Sequence, residues 1–131
     1  MMHVSVRVFV SSLSLAAIGF AAPSVADDRQ LRKEARALTK PCKACHDLRR
    51  EKRKFGPYLV GVVGRPVARV ERYKYSDALK ALGGVWTEER IATFINNPAA
   101  YAPGTNMKFK GFNDMTKARL AAAYLARKSS R

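Results

Sequence analysis

Cys42-Lys43-Ala44-Cys45-His46 is the stretch of this chain whose residue types and spacing are fit for chemistry. Two thiols three positions apart, followed at once by an imidazole, form the arrangement that attaches a c-type haem: the thiols add across two vinyl groups and the histidine ligates the iron. The 131 residues contain only these two cysteines. A zinc or iron–sulfur site, which normally takes four protein ligands, therefore has no further sulfur to draw on. A thioredoxin-like disulfide pair is the remaining use of such a motif, but it calls for a strand–helix alternation that this sequence lacks.

The N-terminus has three parts. Met1 to Arg7 carries one positive charge, Val8 to Ala22 is apolar but interrupted by Ser11, Ser12 and Ser14, and Pro23-Ser24-Val25-Ala26 supplies small residues. This layout predicts a secretory signal over 1–26, cleaved after Ala26, rather than an uncleaved anchor, since the apolar run falls short of the ~20 residues that span a bilayer. Residues 27–131 form one small domain, which a bound macrocycle would help to fill. The chain carries 25 Lys and Arg against 10 Asp and Glu, a formal charge of +15. Such a field bears on encounter rates and on acidic proteins, anionic membranes or nucleic acid as partners, and export makes nucleic acid the weakest of these.

Haem iron takes two axial ligands, and His46 supplies one. The other histidine, His3, leaves with the leader, so a two-histidine site within one chain is excluded and methionine becomes the partner. Met107 and Met115 lie beyond the leader. Met115 falls in the first turn of an expected helix, whereas Met107 follows Pro103-Gly104-Thr105-Asn106 in an unhelical loop that can hold a thioether in place. Met107 is assigned as the ligand; a gap-filling core methionine is the plainer alternative.

The elements that must position these residues are helical. Leu31, Ala35 and Leu38 give a packing face to a helix over 28–39, which ends near Pro41. Residues 47–72 show no helical period and are punctuated by Gly56-Pro57, Gly61, Gly64 and Arg65-Pro66, a long loop of the kind that usually has a function. A short helix over 76–82 closes at Gly83-Gly84. Thr87 caps the next helix, with Ile91, Phe94 and Ile95 on one face and Asn97-Pro98 as its stop. Residues 99–111 form a second loop, and a last helix over 114–128 packs through Leu120, Tyr124 and Leu125. The expectation is an all-α fold of three to five helices with long loops wrapped around one covalently bound haem.

The ordered series His46, Gly56-Pro57-Tyr58-Leu59-Val60-Gly61-Val62-Val63-Gly64-Arg65, Tyr73-Lys74-Tyr75-Ser76, Trp86 and Asn97-Pro98-Ala99-Ala100-Tyr101-Ala102-Pro103-Gly104-Thr105-Asn106-Met107 resembles the class I cytochromes c of the mitochondrial and purple-bacterial kind. The likeness covers nearly all of residues 27–131. It implies that the Pro57 carbonyl accepts the proton of the ligand histidine. It also implies that Arg65, Tyr75 and Trp86 hydrogen-bond around an inner haem propionate, that Thr105 lies near the same edge, and that Leu38 and Tyr124 pack where the first and last helices cross.

Departures from that family pattern are informative. Phe94 stands where the mitochondrial proteins keep a tyrosine whose hydroxyl reaches toward the methionine sulfur, and Leu79 replaces an asparagine that helps hold buried water. Losing both polar partners together changes the surroundings of the iron while leaving no half-satisfied group behind. The family's docking lysines around the methionine loop are Ala99, Ala100 and Asn106 here. A basic run, Arg49-Arg50 and Lys52-Arg53-Lys54, follows the histidine instead, as a solvated face or, with Lys43, Lys108 and Lys110, as a docking surface.

The resemblance implies a soluble, monomeric, periplasmic electron carrier of a respiratory or photosynthetic chain, not an enzyme. It would pass single electrons between acidic donor and acceptor proteins, with transient membrane-surface contact as a further expectation. A cytochrome subunit permanently bound to a periplasmic dehydrogenase, and a gas-sensing haem protein with a labile sixth ligand, are the rival readings.

Overall fold

Side-chain oxygens set where the helices begin. The structure, a computed structural model, describes residues 24–129. Ser24 caps α1 (Val25–Leu38) by accepting from the Asp27 N–H, and α2 (Cys42–Cys45) is a single turn after Pro41. Ser76 caps α3 (Asp77–Leu82), Thr87 caps α4 (Glu88–Asn96) and Asn97 caps α5 (Pro98–Tyr101), each accepting from the N–H three positions on. Asp114 accepts from the Lys117 N–H at the start of α6 (Met115–Ser129).

Among the described residues the architecture is all-α, with six helices where three to five were expected, and the two additions are the one-turn elements α2 and α5. Asn97-Pro98 explains the second. The pair does stop α4, but Asn97 is also an N-cap, and proline at the first helical position lacks only an N–H that would have no intrahelical partner. From His46 to Ser76 the chain runs without a helix, tied by an isolated bridge between Pro66 and Val85. The signal segment expected over 1–26 lies outside the described residues apart from Ser24, Val25 and Ala26, which form the cap and first two residues of α1.

α6 packs against α4 and α1, and α5 packs against α4. The faces in contact differ from the periodicity reading. Ala35 is fully buried and Leu38 packs on the core, while Leu31 is 47% exposed. On α6 the buried stripe is Ala118, Ala121, Ala122 and Leu125, with Leu120 and Tyr124 only half-buried. Methyl side chains at a crossing let two helix axes approach closely, so small residues occupy the contact and larger ones flank it. The face of α4 formed by Ile91, Phe94 and Ile95 is buried as expected. α4 and α6, with Leu79 of α3, line a cavity to which the chain from His46 to Tyr75 also contributes.

Candidate functional site

The cavity has a volume of about 300 Å³, and its lining includes Cys42, Cys45, His46 and Met107. Elsewhere its wall is mainly apolar, with Leu59, Val62, Leu79, Ile91, Phe94 and Leu125 among the contributors. A flat, mostly apolar macrocycle fits that lining: two free thiols, one imidazole and one thioether share a pocket that otherwise offers few polar partners. Burial, the larger influence, pushes the Cys42 thiol up, and the neighbouring Cys45 adds to it.

His46 is held by its neighbours. Its Nδ1 lies 2.6 Å from the Pro57 carbonyl oxygen. A carbonyl only accepts, so Nδ1 carries the proton and donates, leaving the Nε2 lone pair available to a metal. Burial holds the imidazole below its usual value and Lys54 adds to this, while the Pro57 carbonyl acts in the opposite sense. Gly56 makes the arrangement sterically possible, since a Cβ there would fall 2.5 Å from His46 Cε1. The Gly56 N–H donates to the Cys45 carbonyl at 2.8 Å, which fastens this loop to the cysteine turn.

Pro57, Arg65, Tyr75 and Trp86 all line the cavity. Arg65 donates to the Tyr58 carbonyl at 2.7 Å and the Val60 carbonyl at 3.3 Å, and lies over the Tyr58 ring. The Tyr75 hydroxyl accepts from the Val70 N–H at 3.3 Å, and burial pushes its phenol up, so it stays protonated. Trp86 stacks against Phe94 with ring centroids 5.4 Å apart. Thr105 is absent from the wall; its hydroxyl accepts from the Met107 N–H at 3.3 Å, so it acts on the methionine's backbone. Met115 also lies off the wall and packs on the core. Asn106 donates to the Lys74 carbonyl at 3.3 Å, closing the methionine loop against the far loop.

The rim of the cavity is basic. Residues 49–55 are exposed, and Phe55, 84% exposed, lies between the run and the cavity it helps to line. Lys54 donates to the Lys43 carbonyl and Arg53 to the Arg72 carbonyl, so two of the five cations shape the loop. Among the described residues Arg50 pairs with Asp47 at 3.9 Å, and no acidic partner is seen for Arg49 or Lys52. Sequence reasoning did not single out Phe55 or Asp47, although an aromatic at the end of a charge run was the visible signal for the first.

Asp47 orders the start of the run. Its carboxylate accepts from the Arg49 and Arg50 N–H groups at 2.9 and 3.0 Å. Those bonds, Arg49's first, hold the carboxyl below its usual range. A depressed folded value means that the stabilisation is present above the unfolded pKa of about 3.9 and is lost as pH falls through the folded value. The protection of the Arg49 and Arg50 amides, their hydrogen exchange measured against the intrinsic rate at each pH, should accordingly fall below about pH 4. Asp47→Asn, which keeps an accepting oxygen, should remove that acid step, and Asp47→Ala should remove protection at every pH.

Comparison with known proteins gives the geometry its relatives. Over 79 residues the chain is 46% identical to a cytochrome c homolog of Rickettsia prowazekii, covering 60% of this chain and 45% of that one. The chain thus spans about half the length of the Rickettsia relatives it matches. It is 41% identical over 88 residues to cytochrome c-550 of Ancylobacter novellus, covering 64% of this chain and 82% of the relative. The solved structure of cytochrome cH from Methylobacterium extorquens superposes with a TM-score of 0.66 at 36% identity, covering 73% of this chain and 97% of the other. No protein-family model matches the chain.

Proposed function

The chain belongs to the class I cytochromes c, and from that membership we propose that it is an exported one-electron carrier with a covalent haem c ligated by His46 and Met107. The observation that carries the reading is the convergence of both thiols, the oriented imidazole and the thioether on one mostly apolar cavity. When bound, the haem supplies a one-electron iron couple. The chain's residues do the rest: Cys42 and Cys45 would form the thioethers, and the Pro57 carbonyl fixes the His46 tautomer and would make the imidazole a stronger donor. Met107, which shares the cavity wall with His46, would be the second protein ligand, a thioether donor that favours the reduced state and a high potential. An iron holding both of these protein ligands would have no place for a substrate, as suits a carrier rather than an enzyme.

Export and docking complete the proposal. Cleavage after Ala26 would remove the Ser24 cap and start the domain on Asp27 and Asp28, whose carboxylates suit the positive end of α1. N-terminal sequencing of protein recovered from the periplasm is expected to begin at Asp27. The basic loop 49–54 would then steer acidic donors and acceptors to the cavity rim, with the domain acting as a monomer.

Small redox probes test this without knowledge of the partner. The reduced protein should react with anionic ferricyanide at a rate that falls as salt rises. The oxidised protein should be reduced by cationic hexaammineruthenium at a rate that rises with salt. Arg49→Gln with Lys52→Gln should slow the anionic reaction about tenfold at low ionic strength, the two proteins converging at high salt. Equal rates for variant and wild type at low salt would remove the steering role. Coelution with a larger enzyme on gel filtration would favour the dehydrogenase-subunit reading.

A further inference from the structure

Arg90 lies off the cavity wall, yet its side chain touches both segments that carry Trp86 and Met107. From the first turn of α4 its Nε donates to the Tyr101 hydroxyl at 3.0 Å, and its Nη1 donates to the Gly83 and Val85 carbonyls at 3.0 and 2.9 Å. The guanidinium carbon stands 5.6 Å from the centroid of the Trp86 ring.

Each arm has a structural consequence. In the turn before Trp86, the Gly84 and Trp86 carbonyls accept from the Val67 and Gly64 N–H groups, at 2.9 and 2.7 Å. The turn is therefore held between the loop 64–67 on one side and Arg90 on the other. Tyr101 ends α5, six residues before Met107. From there the connection runs through short-range bonds: Thr105 N–H to the Ala102 carbonyl at 2.9 Å, then Met107 N–H to the Thr105 hydroxyl at 3.3 Å. Phe94 lies beneath, its ring 5.4 Å from Trp86 and 5.8 Å from Tyr101, so both segments rest on one side chain.

We propose that Arg90 is a positioning residue that couples the methionine loop to the tryptophan turn, so that the sixth ligand and the Trp86 wall are set together. The coupling rests on Met107 as the iron ligand. Three acceptors in different directions, with a ring face beside them, match a planar fork of donors and do not match the compact ammonium of lysine.

The test uses the holoprotein and four variants: Arg90→Gln, Arg90→Lys, Tyr101→Phe and the Arg90→Gln/Tyr101→Phe double. Two readouts are followed, the pH midpoint at which ferric protein loses its red methionine absorbance band and the emission of the chain's one tryptophan, which a nearby haem quenches. Arg90→Gln should lower the midpoint by about one pH unit, a tenfold change in the equilibrium. Arg90→Lys should recover less than half of this. Tyr101→Phe removes only the methionine arm, so it should lower the midpoint by less and leave emission quenched, while Arg90→Gln brightens it with helix content unchanged. The double variant should match Arg90→Gln alone, because the two groups act as one link. Strictly additive shifts, or an unmoved midpoint in Arg90→Gln, would overturn the coupling while leaving the ligand reading intact. A wild type lacking the band would overturn both.

Discussion

Gly56→Ala is expected to yield a protein with at least a tenfold lower content of covalent haem per chain. A Cβ at this position would lie 2.5, 2.7 and 3.1 Å from Cε1, Nδ1 and Nε2 of His46. The ring has little room to retreat, because Nδ1 is committed to the Pro57 carbonyl at 2.6 Å and Gly56 is itself buried and bonded to Cys45. Overpacking of this kind costs about 1–3 kcal/mol. The larger effect falls on function, since the ring that relieves the clash gives up its orientation toward the cavity. Haem absorbance against polypeptide concentration measures the outcome, and Gly61→Ala serves as the control. Gly61 has φ of 68° and nothing within 4 Å of where a methyl group would sit, so alanine there strains the backbone without touching the histidine. If both variants lost haem equally, backbone strain rather than the ring contact would be the cause.

What could be read from sequence follows from how local the determinants are. The attachment motif is contiguous, and its histidine is one of only two in the chain, the other lying in the segment expected to be a leader, so few assignments were open. Ser76 and Thr87 were recognisable helix starts because a cap acts within three residues. Asn97 was harder: its proline reads as a stop, and only the backbone path shows that the same residue begins α5. Alanines 118, 121 and 122 carry little hydrophobic signal, yet they form the α6 contact because closeness of approach, not side-chain size, decides which residues meet there. Least legible were contacts between distant segments. The bond from Asn106 to Lys74 spans 32 residues, and the three acceptors of Arg90 lie on both sides of it in the chain. Nothing in a helix's own periodicity marks an arginine that bridges two loops.

Met107→Ala is expected to abolish the red methionine band of the ferric protein, let carbon monoxide bind the reduced form at neutral pH, and lower the potential markedly. Axial ligands set haem potentials over a range of roughly 0.8 V, and removing the thioether takes away the donor that favours the reduced iron. The packing effect must be separated from the ligand effect. Truncating a buried methionine costs about 2–5 kcal/mol, and this side chain is only half-buried, so a fall in melting temperature would follow under either reading. Spectrum, carbon monoxide affinity and potential do not follow under both. A gap-filling methionine would lose stability and keep all three unchanged. Met115→Ala provides the internal standard, since that side chain packs on the core outside the cavity and should lower stability without altering the visible spectrum. The gas-sensing alternative differs again, because the unaltered protein would already bind carbon monoxide. Asn106 and Thr105 argue against such lability: one ties the loop to Lys74 and the other accepts from the Met107 N–H, so the backbone that carries the thioether is fastened beside the cavity.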